Sequence, residues 1–276
     1  VEGGPIPVQW QRFRMCLRER QTLASSAYRS PILAGQHFPT LITPGPTGLI
    51  YALPAHDFVV SKAVKMYGTY DPEELRIYKR LLPEGGTLVD VGANIGSYSI
   101  PLARHVGRQG RVVAVEPFHS LFQILTANSA INGLRNLKTR QVGLGEKPEK
   151  LRAKGPNMEE FNNIGMARIF RPFEEKYAET FNYRSASNEE TITVTTLDIL
   201  VKEEELEQVS LLKVDVEGHL KAVLAGGQET LQRHRPIVVA EHSADDSFEI
   251  LEKKHGYHCE EHLEEHDLWV CLPLAQ

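Results

Sequence analysis

Short apolar runs rich in valine, leucine and isoleucine recur along this chain and are separated by polar or glycine-containing segments. Such runs are typical of buried strands, and several stretches between them have apolar residues at helical spacing. The alternation predicts an α/β fold: a mostly parallel sheet with helices on both faces and an antiparallel last pair of strands. Strands are predicted at 87–91, 111–116, 137–142, 191–195, 211–216, 236–241, 257–261 and 268–272, and helices at 97–106, 121–131, 197–204 and 247–255.

The segment before this core predicts a smaller addition. Residues 40–51 predict two short strands around a Pro-Gly turn, and Asp71 followed by Pro72 predicts the start of a helix. Residues 8–27 predict a helix that either caps a site or packs on a partner. Its interleaved arginines are more typical of a solvated face than of a binding patch.

The strongest local pattern lies at Thr87–Ser99, where a buried strand is followed by a glycine turn and a helix start. Gly92 and Gly96 allow the backbone to turn sharply and to approach a ligand closely. The helix presents free backbone N–H groups at the end of the strand. The pattern predicts a cofactor site of an α/β enzyme; a strand–turn–helix without a ligand is the alternative.

The polar residues around the turn favour one cofactor. A dinucleotide-binding turn has a glycine where this chain has Asn94, and its acid follows about 20 residues later, whereas Asp90 precedes the turn here. Glu116 ends the second core strand, where a carboxylate can accept hydrogen bonds from both hydroxyls of a ribose. These features suit a ligand with an ammonium group and no pyrophosphate. They favour S-adenosylmethionine over NAD, with an NAD-dependent oxidoreductase as the alternative.

Three motifs, Asp90–Ser99, Glu116-Pro117 and Leu212–Gly218, together resemble those of FkbM-type class I methyltransferases. The resemblance covers roughly Tyr67 to Trp269. It implies a Rossmann-like sheet and an S-adenosylmethionine-dependent enzyme, often an O-methyltransferase acting on secondary metabolites or sugars. The chain is accordingly divided into an N-terminal extension, residues 1–66, and a methyltransferase domain, residues 67–276, with an insertion at 145–190.

Ligands of open α/β sheets bind at the carboxyl ends of the strands, which selects candidate cofactor residues. Asp90 and the turn backbone are expected to hold the methionine part, Glu116 the ribose, and residues 142–144 the adenine. The rule and the resemblance together give the following expected set: Asp90, Gly92, Asn94, Gly96, Tyr98, Glu116, Pro117, Gly143 and Asp215.

Charged residues alternate along the core strand at 211–216, where both faces of the sheet are normally covered. Period-two spacing places Lys213, Asp215 and Glu217 on one face, and buried charges are costly unless paired or functional. Asp215 is expected nearest the cofactor. Glu217, or His242 after the next core strand, would take a proton from the acceptor, so Asp215, Glu217 and His242 are the catalytic candidates. A Lys–Asp pair, a capping glutamate and a loop histidine are the structural alternatives.

The acceptor is expected to be a hydroxylated small molecule or sugar that is methylated on oxygen. Asn162–Gly165 resembles an Asn/Gly segment of the family, and Tyr67–Tyr70 resembles its lid region, so Tyr67, Asn162 and Asn163 are expected to contact the acceptor. A polar turn is the alternative for the asparagines. N-methylation of a peptide or amine, and a non-catalytic scaffold that retains the fold, are the alternative functions.

Composition limits the classes of partner that this chain is expected to bind. The 276 residues carry a net charge of −5 without a basic stripe, which disfavours a nucleic-acid substrate. No run approaches the ~18 apolar residues of a membrane helix, and a cytoplasmic location is expected. The first residue, Val1, agrees with a processed product or a portion of a longer protein. A homo-oligomer is a further possibility that the sequence does not decide.

Cysteine and metal chemistry is expected to play a small part. Three cysteines, Cys16, Cys259 and Cys271, have no paired spacing and argue against a disulfide framework. The histidine-rich segment at 255–266 lacks the ligand spacing of a structural zinc site. A Mg²⁺ ion held by Asp215, Glu217 and an acid of the 236–241 strand is a secondary expectation, because hard oxygen ligands suit this ion.

Overall fold

The computed structural model describes residues 40–156, 158, 164–166, 168–169, 189–216, 218–241, 246–263 and 268–275. The helix predicted at residues 8–27 lies outside this part of the chain. Across the described ranges, no helix has the length and apolar character needed to cross a bilayer.

A central sheet organises the described chain. Its strands have the spatial order β12-β13-β11-β10-β3-β4-β5, with the bounds given at the end of this paragraph. Neighbours from β11 to β5 pair in parallel, whereas β13 is antiparallel to both β11 and β12. The predicted α/β fold with an antiparallel last pair is therefore confirmed. The described strands are β1 (Thr40–Pro44), β2 (Ile50–Pro54), β3 (Thr87–Val91), β4 (Arg111–Val115), β5 (Leu137–Arg140), β6 (Gly143–Leu144), β7 (Glu149–Lys154), β8 (Arg168–Ile169), β9 (Glu189–Thr195), β10 (Leu211–Val214), β11 (Ile237–Glu241), β12 (Tyr257–Leu263) and β13 (Leu268–Pro273).

Both faces of the inner strands β3, β4, β10 and β11 are buried, which explains their nearly continuous apolar sequences. Leu88 and Leu211 belong to one apolar cluster, and their neighbours Val89 and Leu212 belong to another. The described helices are α1 (Val60–Tyr67), α2 (Pro72–Leu81), α3 (Ser99–Val106), α4 (His119–Ile131), α5 (Leu197–Glu203), α6 (Leu220–Ala225), α7 (Gln228–Arg233) and α8 (Ser247–His255).

The helix starts follow local chemistry. Asp71 accepts hydrogen bonds from the backbone N–H groups of Glu73 and Glu74 and Pro72 opens α2, as predicted. Pro101 lies in the first turn of α3, where a helix tolerates it. Helices α1, α6 and α7 were not predicted.

The β1–β2 hairpin is joined to the core through helix α4. Asn128 pairs with Ala52, accepting from its N–H at 2.6 Å and donating to its carbonyl at 3.3 Å. One turn later, Asn132 does the same with Ile50, at 2.9 and 2.7 Å. Two amide side chains thus replace a neighbouring strand along the edge of β2.

The insertion and the residues on either side of it form a second, smaller sheet with the order β6-β9-β7-β8. Strand β7 is antiparallel to β9, and β6 is parallel to β9. A short 3₁₀ turn, Ile164–Met166, also lies in this insertion. The sequence predicts β9 but neither β7 nor β8, because their charged residues lack a continuous apolar pattern.

The closing strands contain a disulfide bond that corrects the expectation from cysteine spacing. Cys259 and Cys271 are directly opposite each other in the β12–β13 register, and their sulfur atoms are bonded. The register of the hairpin, which spacing alone does not reveal, brings the two side chains together.

Candidate functional site

The path of the chain reverses across the sheet between β3 and β10. After β3 the chain adds β4 and β5 on one side, and it later returns to place β10 on the other side of β3. Parallel strands that diverge in this way leave a cleft at their carboxyl ends, where ligands bind. The predicted glycine turn and Asp215 both lie at this point.

Gly92 sets the separation between the two strand ends. Its φ is +79°, and an added Cβ would lie 1.9 Å from the backbone oxygen of Asp215. The Asp215 N–H in turn donates to Val91 O at 3.0 Å. Only glycine can occupy this contact, so the turn after β3 and the segment after β10 form one wall of the cleft.

Asn94 occupies a left-handed position in the same turn, with φ 53°. Its Oδ1 accepts from the Ile95 N–H at 2.8 Å, and its Nδ2 donates to Ile164 O at 3.1 Å. A short polar side chain that bonds locally makes this conformation tolerable. Gly96, with φ +87°, closes the turn where an added Cβ would lie 2.8 Å from Leu125 of α4.

Glu116 follows β4 and is only 3% exposed. Its Oε2 accepts from the Asn94 N–H at 2.9 Å and its Oε1 from the Phe118 N–H at 3.0 Å. Burial raises the pKa of this carboxyl to about 7, although the two backbone hydrogen bonds lower it. Each oxygen keeps a second lone pair, so the carboxylate can still accept from both hydroxyls of a ribose.

Lys213 is a buried cation at the centre of a charged cluster. Its Nζ lies 3.1 Å from Asp90 Oδ1 and 3.5 Å from Asp215 Oδ2. Burial lowers the pKa of Lys213, but the carboxylates outweigh burial and raise it overall. Ser99 Oγ donates to Asp90 Oδ2 at 2.5 Å. The Lys–Asp pair, which was the structural alternative for these charges, is present, and β10 ends at Val214, before Asp215.

Asp90 and Asp215 differ in exposure. The Asp90 side chain is 1% exposed, whereas that of Asp215 is 34% exposed. Burial raises the pKa of Asp215, and Lys213 opposes the shift. Asp215 is therefore the carboxylate of this pair that can reach a ligand directly, whereas Asp90 holds Lys213 and Ser99.

Tyr98 connects the cluster to helix α2. Its hydroxyl donates to Glu74 Oε2 at 2.7 Å, and the Tyr78 hydroxyl donates to the same oxygen at 3.3 Å. The Tyr98 ring centroid lies 5.4 Å from Lys213 Nζ. Burial, followed by the charge of Glu74, raises the pKa of both tyrosines. Both hydroxyls thus remain donors.

A family profile for the methyltransferase FkbM domain matches residues 90–267, which include the glycine turn, Glu116 and Asp215. This chain belongs to the FkbM methyltransferase family. Methyltransferase sdnD of Sordaria araneosa is 30% identical over 166 residues, 54% of this chain and 62% of that protein. The 23S rRNA (uracil(1939)-C(5))-methyltransferase RlmD of Acinetobacter baylyi is 33% identical over 96 residues, 33% of this chain and 21% of that protein.

The chain thus spans less than two thirds of the length of either curated relative. Among solved structures, methyltransferase FkbM from Methylobacillus flagellatus KT has a TM-score of 0.45 and 17% identity. That superposition covers 71% of this chain and 50% of the other.

The remaining predicted site residues are described only in part. Gly143 is buried in β6 opposite Val194 of β9, and Pro117 is half-buried beside Glu116. Tyr67 is 50% exposed at the end of α1. Four predicted residues lie outside the described part of the chain: Glu217, His242, Asn162 and Asn163. Their roles, and the direct ligand contacts of the others, stay predictions.

Four residues that bond to the site or its supports were missed by sequence reasoning: Asp57, Glu74, Ser99 and Glu190. Ser99 lies inside the recognised motif and could have been selected as the hydroxyl nearest Asp90. Glu74 lies three residues after the Asp71 cap, and a glutamate in the first turn of a helix is ordinarily interpreted as an exposed residue. Asp57 accepts from the Val59 N–H at 3.2 Å as well as from distant Ile164, so a local acid before α1 could have marked it. Glu190 bonds to His119, 71 residues away, so no local pattern marks it.

The described residues give no support to the expected Mg²⁺ site. Within the described ranges, no group of three His, Cys, Asp or Glu residues could hold a metal ion. The Lys213 ammonium already lies between Asp90 and Asp215, and a divalent cation there would be repelled by it. Asp90 and Asp215 with Lys213 between them do not fit the ion, and the third predicted ligand, Glu217, lies outside the described residues.

Proposed function

We propose that this protein transfers the methyl group of S-adenosylmethionine to a hydroxyl of a small molecule or sugar. The observation that carries the proposal is the buried Glu116 carboxylate, which two backbone N–H groups hold beside the glycine turn at the chain-reversal point. A carboxylate fixed in this way accepts from a ribose diol without first losing conformational freedom.

The residues of the cleft have distinct proposed roles. Glu116 binds the ribose, Gly92 and Gly96 allow the backbone to approach, and Gly143 with Pro117 borders the adenine. Bound S-adenosylmethionine supplies an electrophilic methyl group. Asp215, partly exposed at the end of β10, orients the acceptor hydroxyl next to it. Glu217 or His242 is proposed as the base that takes the proton.

The charge of the cleft supports a neutral or cationic acceptor. Three carboxylates, those of Asp90, Asp215 and Glu74, raise the pKa of Lys213, so the cluster carries more negative than positive charge. A phosphate-rich acceptor such as RNA would be repelled there. An amine or peptide nitrogen fits the same charge, which makes N-methylation the second candidate.

Calorimetric titration with S-adenosylhomocysteine, with NAD in parallel, tests the cofactor part. We expect the chain to bind S-adenosylhomocysteine and not NAD. In Glu116→Ala the affinity for S-adenosylhomocysteine should fall at least about 100-fold, because two hydrogen bonds to a charged group are removed. Glu229→Ala is the matched control, since Glu229 is an exposed carboxylate paired with Arg233. Binding of NAD but not of S-adenosylhomocysteine would indicate an oxidoreductase. Binding of neither ligand would favour a non-catalytic scaffold that retains the fold.

Transfer of a labelled methyl group from S-adenosylmethionine tests the acceptor part. The panel contains sugars, phenols and other alcohols, amines and peptides, and ribosomal RNA. We expect label on hydroxyl-bearing small molecules and loss of transfer in Asp215→Asn. Label on nitrogen or on RNA would overturn the proposed acceptor class while leaving the cofactor assignment intact.

A further inference from the structure

The insertion contacts both backbone segments that hold Glu116. One segment contributes the Asn94 N–H to Glu116 Oε2, and the other contributes the Phe118 N–H to Glu116 Oε1. Each segment also makes a hydrogen bond to a residue of the insertion. The position of the nucleoside-binding carboxylate is therefore linked to the insertion from two sides.

The first link passes through Ile164. Its carbonyl accepts from Asn94 Nδ2 at 3.1 Å, and its N–H donates to Asp57 Oδ1 at 3.4 Å. Ile164 is fully buried and Asp57 is 5% exposed, so water does not compete for these bonds. The turn of the insertion is thereby fixed on the side chain of Asn94.

The second link passes through Glu190 of β9. Its Oε2 accepts from the His119 N–H at 3.0 Å, at the first residue of α4 and next to Phe118. The backbone of Gly155, which follows β7, lies against the other oxygen, because an added Cβ there would be 2.5 Å from Glu190 Oε1. Glu190 thus fills one of the free N–H positions of α4 and is confined by a glycine.

We propose that Glu190 is a positioning residue for the nucleoside half of the cofactor site. By holding the His119 N–H, it fixes the start of α4 and keeps the neighbouring Phe118 N–H directed at Glu116. Gly155 is required because a side chain there would displace Glu190. This inference rests on the proposed function, since it concerns the same nucleoside site.

Calorimetry with adenosine and S-adenosylhomocysteine tests the role. We expect Glu190→Ala and Gly155→Ala each to weaken both ligands about three- to tenfold, the range for one hydrogen bond. Glu190→Gln should restore most of the affinity, because its amide oxygen can accept the same N–H. The double variant Glu190→Ala/Gly155→Ala should be no weaker than the single variants, since both remove the same contact.

Asp198→Ala is the matched control. Asp198 accepts from the Glu229 and Thr230 N–H groups at the start of α7, the same chemistry at another helix. It should lower thermal stability and leave adenosine affinity unchanged. Unchanged affinity in both Glu190→Ala and Gly155→Ala, or a glutamine variant as weak as alanine, overturns the inference alone. A folded wild-type chain that binds neither ligand overturns the proposed function and this inference together.

Discussion

Ionisation of the buried Glu116 carboxyl has opposite effects on folding and on ligand binding. It lowers the stability of the fold, and it favours binding of a ribose. Its pKa of about 7 in the folded chain exceeds the ordinary value of 4.5. The folded state therefore binds the proton more tightly than the unfolded state between these values. Its contribution to the unfolding free energy is complete at low pH and is lost as pH rises through the folded pKa. A ribose diol, however, prefers the ionised carboxylate.

We therefore predict that the affinity for S-adenosylhomocysteine rises from about pH 6 to about pH 8, by up to about tenfold per pH unit below the Glu116 pKa. In Glu116→Gln, affinity should be weaker and should lose this part of the pH dependence. Calorimetric titrations across this range measure both profiles. The same slope in the variant would show that another group titrates.

Comparing alanine variants of Gly92 and Gly85 separates two contributions to the loss of unfolding free energy: the left-handed backbone conformation and the steric contact of the added Cβ. Gly92 and Gly85 have φ values of +79° and +77°, but an added Cβ at Gly85 meets nothing within 4 Å. Gly85→Ala should lower the unfolding free energy by about 1–2 kcal/mol, the cost of a left-handed L-residue. Gly92→Ala should lose at least about 2 kcal/mol more, because its Cβ meets the Asp215 carbonyl. Denaturant unfolding measures both, and equal losses would contradict the role of this contact.

At the scale of elements, the amide pairing between α4 and β2 decides how firmly the hairpin is held. Asn128 is fully buried and also donates to Ile95 O at 2.8 Å, so Asn128→Ala leaves several buried backbone groups unpaired. We predict a loss of about 3 kcal/mol in unfolding free energy for this variant. Asn132→Ala should lose about 1 kcal/mol, because water can reach the exposed Ile50 backbone. Similar losses by chemical denaturation would argue against burial as the cause.

Elements were predictable where the information is local. The β3 strand, the glycine turn and the Asp71 cap each depend on residues a few positions apart, and the structure has them as predicted. The misses depend on distant partners: β7 pairs only with β9 and β8 among the described strands, and Cys259 meets Cys271 through hairpin register. Glu190 is 71 residues from the helix start it holds. Cys259 and Cys271 are only 12 residues apart, but their spacing does not reveal that the hairpin register sets them opposite each other. The partners of β9 and of the α4 start are too far apart for any local pattern to connect them.

At the scale of the whole molecule, Lys213 joins the two halves of the central sheet. It lies on β10, while Asp90 lies on β3, and the Tyr98–Glu74 bond adds helix α2 to the same cluster. The carboxylates must be close together for the cleft to form at the chain reversal, and their mutual repulsion opposes this. A buried ammonium between them offsets that repulsion. The charge of the site and the cohesion of the fold therefore depend on one side chain.

Replacing Lys213 should mainly lower the stability of the fold rather than act directly on methyl transfer. We predict that Lys213→Met lowers the unfolding free energy by about 3–5 kcal/mol, because the buried Asp90 and the partly exposed Asp215 both lose their counter-charge. Adding Asp90→Asn should recover part of that loss. Lys221→Met removes an exposed ion pair with Asp246 and should cost no more than about 1 kcal/mol. Denaturant unfolding of the single and double variants decides the matter. A stable Lys213→Met chain that still binds S-adenosylhomocysteine but no longer transfers a methyl group would contradict a purely stabilising role. It would show that Lys213 is needed for transfer itself, directly or through the position of Asp215.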